Sequence, residues 1–312
     1  MFQCPRKYYL SQIVGIERKS LSIPFAVGKI VETGVSAILR REKDYYKKAL
    51  DHYKKIKEDA VKLVLTDNEK EDLDEIETYL GGMLHGFVKK YIGFIRKIKK
   101  TKSDVKLRLE LKYGIFVGEI DNMFVWEDGK LWMEELKTAK ELTVYRIEKI
   151  LHDLQHSAYY YTFHKLHKDH RIFKILYHII RKPSIRQKKA ETLQEYTIRL
   201  AKWYEDDAGE DKRFYSEQLE EPKLRELDVY NTLNHVADAI SRCKDVDDFW
   251  QNFDMCSDKY GKCQFFQICH RESDVTAINV IRAYYRKSAD TIAYWKNYGV
   301  EQPKGLIQIG RL

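Results

Sequence analysis

Gly118-Glu119-Ile120-Asp121 and Glu134-Glu135-Leu136-Lys137 stand on either side of a turn signal, Glu127-Asp128-Gly129. Around them, residues 105–138 alternate Val, Leu, Tyr, Phe and Trp with polar residues, the period of a strand pair. The turn decides what the pair can do. A two-residue Asp-Gly loop sets Asp121 against Leu136, so Asp121 and Glu135 point to opposite faces. A three-residue loop with Gly129 as a left-handed bulge sets Asp121 against Glu135. The apolar pattern selects the second. It pairs Val125 with Leu131 and Met123 with Met133 on one face. It pairs Trp126 with Lys130, Phe124 with Trp132 and Asn122 with Glu134 on the other. An apolar face then ends in two opposed carboxylates, with Lys137 on the same face two residues on. Facing carboxylates repel unless a cation lies between them, and hard oxygen donors suit Mg²⁺ or Mn²⁺. Such an ion activates water and steadies charge on a phosphate, and a nearby ammonium assists.

Outward from the hairpin, Cys4 to Ile16 has helical spacing and a loop follows to Pro24. Residues 28–100 read as helices, with Tyr45–Lys57 and Asn68–Lys100 long and proline-free, the second interrupted by Gly81-Gly82. Residues 141–167 return to helical spacing. Arg171–Ile180 reads as a strand stopped at Pro183. Residues 190–206 and 222–242 read as helices, and 274–298 as a last basic helix. The order predicts an α/β core wrapped in helical insertions. In the helix after the hairpin, Gln155 and Tyr159 share a face, where an amide and a phenol can hold a phosphate backbone.

The 312-residue chain is 44% apolar, with fifteen glycines and five prolines, a globular composition. No stretch approaches the roughly 20 apolar residues that span a bilayer, and no secretory signal is seen, so a cytoplasmic location is expected. A net charge of +8 suits a partner rich in phosphates. Twenty-two tyrosines can stack bases, although amphipathic rings more often pack at core edges. Arg181, Lys182 and Arg186 after the second strand region, and Arg282, Arg286 and Lys287 on the last helix beside Tyr284 and Tyr285, are the candidate groove for a nucleic-acid strand. No Gly-x4-Gly-Lys-Ser/Thr loop is present, so unwinding would need a partner such as a helicase.

Five cysteines are an odd count for a disulfide framework. Cys256, Cys263 and Cys269 crowd one Gly-containing loop, and with Cys4 they make four soft donors. Four thiolates fit a cubane iron–sulfur cluster or a tetrahedral zinc, and spacing does not separate them. Cys243 reads as a small buried apolar residue.

Together these motifs resemble the PD-(D/E)XK nuclease superfamily. The closest likeness is to the RecB-type exonuclease branch, which includes phage-encoded nucleases and CRISPR-associated nucleases with an iron–sulfur cluster. Cys4-Pro5-Arg6 with Tyr8-Tyr9 looks like the family's N-terminal segment. Gly28-Lys29-Ile30-Val31-Glu32 looks like its first motif, Gly118-x-x-Asp121 the second, Glu135-x-Lys137 the third, and Gln155-x-x-x-Tyr159 the helix motif of the branch. Arg181-Lys182-Pro183 is similar to a segment of the phage-type members. The first motif commonly ends in a histidine ligand. Glu32 stands there instead, and His85 in Gly81-Gly82-Met83-Leu84-His85 is the alternative, less well placed in the order.

The resemblance implies a mixed β-sheet flanked by helices, a restriction-endonuclease-like core with a cysteine-rich C-terminal region. It divides one composite domain into residues 1–27 with the cluster cysteine, 28–104 helical, 105–221 the nuclease core and 222–312 the C-terminal part. It implies Glu32, Asp121 and Glu135 as Mg²⁺ or Mn²⁺ ligands, with Lys137, Gln155 and Tyr159 assisting. It also implies a [4Fe–4S] cluster on Cys4, Cys256, Cys263 and Cys269. The expected activity is exonucleolytic hydrolysis of DNA, on single-stranded ends. An endonuclease of CRISPR adaptation or structure-specific cleavage and a silent DNA-binding scaffold are the competing readings.

Overall fold

Alternating apolar residues build a five-stranded mixed sheet: β2 (Lys100–Leu111), β3 (Gly114–Val125), β4 (Leu131–Ala139), β5 (Ile172–Arg181) and β6 (Phe214–Leu219). Spatial order follows chain order, and every pairing is antiparallel except β4 with β5. That parallel step requires a crossover, supplied by α5 (Val144–Leu151) and α6 (Leu154–Leu166). The computed structural model describes residues 4–18, 22–61, 63, 65–207, 212–243, 248–258, 261–270, 280–281, 283 and 285–287. Among them, no helix is long and apolar enough to cross a membrane.

The β3–β4 register is the one the apolar pattern demands. Val125 pairs with Leu131, Phe124 with Trp132, Met123 with Met133 and Asn122 with Glu134. Trp126 N–H donates to Lys130 O (2.8 Å) and Gly129 N–H to Trp126 O (2.9 Å). Gly129 has φ +85°, the left-handed conformation a three-residue loop needs.

Each face of the sheet buries a separate core. On one face, Phe124, Trp132, Leu136, Leu176 and Ile180 pack with α2 (Ile23–Leu39), α3 (Tyr45–Ala60), α4 (Asp67–Ile95) and α7 (Leu193–Glu205). On the other, Leu107, Ile120, Met133, Ile175 and Tyr177 pack with Tyr159, Tyr160 and Phe163 of α6. Beside that core, Ala158 packs with Val229 and Leu233 of α8 (Glu226–Arg242).

Several boundaries differ from the sequence reading for identifiable reasons. A capping box at Thr66 and Glu69 starts α4. The helix stops short of Lys100 because Lys99 N–H already donates to Val125 O (2.8 Å) in the sheet. Gly81-Gly82 does not interrupt α4; a Cβ on Gly82 would meet Leu200 of α7 at 2.6 Å, so close packing explains the glycine. The helix expected over 141–167 is two helices, divided where Asp153 caps Gln155 N–H (2.7 Å). Strand β6 has little sequence signal because Ser216 and Gln218 are exposed, Tyr215 and Glu217 half-buried, and only Phe214 and Leu219 buried.

The two ends of the described chain meet. After α1 (Pro5–Tyr8) and a π-helical turn at Tyr9–Ile13 comes β1 (Ile16–Arg18), a strand where a loop is expected. Strand β1 pairs with β9 (Tyr285–Lys287), so residues 285–287 are strand where a basic helix over 274–298 is expected; most of that span lies outside the described residues. Tyr9, Leu10, Phe249, Phe265, Ile268 and Tyr285 form the small core beneath. Arg6 Nε donates to Phe249 O (2.8 Å). Between them lie a hairpin, β7 (Ser257–Asp258) with β8 (Gly261–Lys262), and the short α9 (Phe266–Cys269).

The α4–α7 contact tests this packing. A Cβ on Gly86 would lie 2.7 Å from Tyr204 Cβ and 3.1 Å from the Phe214 ring. Neither neighbour is a flexible chain end. Gly86→Val is expected to lower stability by about 1–3 kcal/mol or more through overpacking, read as a reduced urea midpoint at unchanged slope.

Candidate active site

The site forms where β3 and β4 part. Their ladder ends at Asn122 and Glu134. At the next position Asp121 turns its carboxylate across the gap and accepts the Leu136 N–H (3.1 Å). A side chain thus satisfies a backbone donor of β4. On the other flank of β3, Asp104 lies between the pairs Ser103–Asn122 and Val105–Ile120 with φ +53°. There the apolar face of β3 changes phase, from Ile120 to Met123. Asp121 occupies that inversion.

Glu135 is only 2% exposed. Its Oε1 accepts a hydrogen bond from Lys137 Nζ, while Oε2 is buried with no partner. From the other side, α2 brings Glu32, paired with Lys29 at 3.0–3.1 Å. The same helix approaches the end of β4 closely enough that a Cβ on Gly28 would lie 3.8 Å from Thr138 Oγ1. Asp121, Glu135, Lys137 and Glu32 therefore share one locus.

Their electrostatics are those of a crowded, dry acidic site. Burial, then the Asp121 charge, pushes Glu135 up to about 7. The same two causes push Glu32 up to about 7, against the pull of Lys29. Asp121 is also raised by burial, partly offset by the Leu136 N–H and the Lys137 charge. Burial would lower Lys137, but Glu135 outweighs it and the ammonium is held above its ordinary value. Lys137 is therefore a cationic donor and not a base near neutral pH.

Gln155 Nε2 donates to Tyr159 Oη at 3.0 Å, so the helix pair acts as a unit. Gly118 belongs to the same construction: a Cβ there would lie 2.3 Å from Tyr159 Cε1. The glycine of the second motif is needed because the Tyr159 ring lies directly on β3. Sequence reasoning missed His156, one turn position from Gln155. It is 1% exposed, neither ring nitrogen has a partner, and burial holds it down to about 4. It also did not single out His178, which joins Glu134 in the opposite core at 2.6 Å.

The expected basic groove is brought together only in part. Arg181 and Lys182 lie at the end of β5 beside β4, with Arg181 Nε bonded to Lys140 O (3.3 Å) and Lys182 Nζ to Pro24 O (3.4 Å). Arg186 instead faces Asp72 and Glu75 of α4 at 3.7–3.8 Å. Arg286 and Lys287 are on strand β9, not a helix, and Arg282 and Tyr284 fall outside the described residues. Tyr285 is 3% exposed and stacked on Phe265, so it offers no face to a base. His85 lies elsewhere, in a surface cleft with Tyr45, Tyr46, Glu77 and Leu193.

Cys4, Cys256, Cys263 and Cys269 are free thiols within electrostatic reach of one another. Burial raises Cys256, with Cys263 and Cys4 adding. Burial likewise pushes Cys269 up to about 11, against the pull of Arg6. Cys243 is half-buried, not buried, and its thiol bonds Ala239 O (3.1 Å).

A family model for PD-(D/E)XK nucleases matches residues 2–270, across both the sheet and the cysteine loop. The chain belongs to the PD-(D/E)XK nuclease superfamily. As a member it is a nuclease, a phosphodiester hydrolase acting on nucleic acid, in a family that characteristically works with a divalent metal. No curated protein matches. Among solved structures, the crystal structure of SSO0001 is similar at 12% identity and a TM-score of 0.29, over 76% of this chain and 82% of that one. That likeness carries no weight for the site.

The donor types suit a hard divalent ion: three carboxylates lie near one another, Glu32 and Glu135 are both raised by burial and then by the Asp121 charge, and Glu135 Oε2 lacks a partner. Among the described residues, no group of three or more carboxylate, imidazole or thiol side chains is placed to hold a metal ion. Lys29 and Lys137 occupy the acids in the meantime.

Acids raised in the folded state bind protons that the unfolded chain has already lost. Between about pH 4.5 and 7 the metal-free protein should therefore gain stability as pH falls. Mg²⁺ should reverse that trend and release protons on binding near pH 7. Thermal melts from pH 5.5 to 8 with and without Mg²⁺, and calorimetry in buffers of different ionisation enthalpy, check both.

Proposed function

We propose that this nuclease is a Mg²⁺- or Mn²⁺-dependent deoxyribonuclease acting exonucleolytically on single-stranded ends. Glu32, Asp121 and Glu135 are the metal ligands, and Lys137, Gln155 and Tyr159 serve the reacting phosphate. The observation that carries the reading is the buried, half-satisfied Glu135 carboxylate, facing Asp121 across the fork and tied to Lys137. A divalent ion held there would polarise a phosphate oxygen and lower the pKa of a water.

The chain's own groups supply the rest. Lys137 stays protonated, so it donates a hydrogen bond to the attacking water or to a phosphate oxygen as charge builds. The linked Gln155 amide and Tyr159 phenol offer donors to the backbone of the strand beside the scissile bond. Arg181 and Lys182 add positive charge at the end of β5, against the start of α2 and the residue after β4, for the phosphate backbone. Phe25 (68% exposed) on α2 and Tyr145 (73% exposed) on α5 are open to solvent, and stacking on such rings suits unpaired bases. Single-strand preference rests on them.

The four-cysteine locus is proposed to hold a [4Fe–4S] cluster with a structural role, tying α1 to the loop before α9. Free, mutually perturbing thiols from both ends of the described chain support it; zinc is the alternative donor match.

With labelled single-stranded DNA and Mg²⁺ or Mn²⁺, Asp121→Asn is expected to lower kcat by at least about 10³-fold and Lys137→Met by about 10²–10³-fold, both remaining folded. Absence of metal-dependent cleavage by the wild type would remove the enzymatic reading. Protein purified anaerobically should be brown, absorb near 400 nm (roughly where thiolate-bound iron–sulfur centres do) and lose the band in Cys256→Ser. Colourless protein carrying stoichiometric zinc would decide for zinc.

A further inference from the structure

Behind the acidic fork, on the opposite face of the sheet, runs a chain of buried polar groups that the nuclease reading does not use. His178 Nδ1 is 2.6 Å from Glu134 Oε1. Asn122 Nδ2 donates to Glu134 Oε2 (2.9 Å), and Ser103 Oγ donates to Asn122 Oδ1 (2.6 Å). Arg40 on the surface closes the row with a donor to Ser103 Oγ (2.5 Å) and a salt bridge to Glu42 (3.0 Å). Glu134 and Asn122 are fully buried and His178 is 1% exposed. Phe87, Tyr91 and Phe94 surround the His178 ring at 4.5–6.0 Å.

Such a row is poor value as stabilisation. Burying a carboxylate and its polar partners among aromatic rings rarely outperforms apolar residues of the same volume, and the best-attested use of such a network is fixing register. Its position matches that use. Ser103, Asn122 and Glu134 are direct register partners on β2, β3 and β4, and Asn122–Glu134 is the last rung before the strands part. Asn122 is bonded in sequence to Asp121, and Glu134 to Glu135. A slip of one residue on β3 would break the Asn122–Glu134 bond and turn Asp121 away from Glu135. Apolar residues on that rung would tolerate sliding; a carboxylate held by one donor on each neighbouring strand does not.

We infer that Asn122, Glu134 and His178, with Ser103 as the outer link, are positioning residues that pin the rung behind the fork and so set the spacing of Asp121 and Glu135. The inference rests on the nuclease reading of that acid pair and adds the device that holds the pair's strands in register. The charge of Glu134 is not what matters, because it repels Asp121. What matters is two hydrogen bonds at fixed angles. Glutamine can keep both contacts, its carbonyl accepting from Asn122 and its amide reaching His178 Nδ1, while methionine fills the same space with neither.

The experiment compares Glu134→Gln with Glu134→Met. Mn²⁺ affinity is read from the free-ion paramagnetic resonance signal, and kcat and KM on single-stranded DNA are read separately, alongside the melting temperature. Glu134→Gln is expected within about twofold of wild type in Mn²⁺ affinity and kcat. Glu134→Met is expected to keep a cooperative melt and its KM, yet to bind Mn²⁺ at least tenfold more weakly and lose about a hundredfold in kcat. A folded Glu134→Met with wild-type Mn²⁺ affinity and kcat overturns the inference and leaves the nuclease reading standing. If Glu134→Met does not fold, Ser103→Ala decides. It keeps the Glu134–His178 pair and releases the outer end of Asn122, so Mn²⁺ affinity should fall several-fold; no change overturns the inference. A wild type that neither binds Mn²⁺ nor cleaves removes the nuclease reading, and the inference with it.

Discussion

Everything at this site follows from one substitution of a side chain for a backbone. Where β3 would ordinarily continue its ladder with β4, the Asp121 carboxylate takes the Leu136 N–H instead. The strands can then separate without stranding a buried donor, which would cost about 1–3 kcal/mol. The opening admits α2 with Glu32 from one side and leaves Glu135 half-satisfied on the other. Negative charge accumulates in a dry place because the sheet on either side is apolar. Two lysines partly answer it.

The hairpin was legible in the sequence because two independent constraints agreed. Gly129 fixed the turn, and pairing Met123 with Met133 and Phe124 with Trp132 fixed the register. The paired register ends at Asn122 and Glu134, so the approach of Asp121 to β4 comes from its bond to the Leu136 N–H where the strands part and not from the ladder itself. Gly118 was visible as part of a motif, but its reason, the Tyr159 ring, comes from an element on the far side of the turn and could not be read locally. Glu32 is of the same kind: its place beside Asp121 depends on where α2 packs.

What stayed hidden has a common cause. Strand β6 carries its signal in two residues only, and strand β9 in a segment whose charge pattern equally fits a helix. His178 looked like one polar residue within an apolar strand, and only burial beside Glu134 reveals its part. The basic groove was the least secure reading. Surface charge has no periodicity to betray which neighbour it faces, and Arg186 faces acids of α4 where a phosphate was expected.

The pairing of β1 with β9 has a bearing on how the molecule is made. Residues 16–18 have their strand partner at 285–287, almost the whole described length away. During synthesis at about 5–20 residues per second, that edge waits, unpaired and able to recruit other chains, until the late segment leaves the ribosome. The central sheet, whose neighbours are mostly consecutive in the chain, can assemble earlier. Maturation is thus ordered: the acidic fork can take shape before the clasp around the cysteines closes.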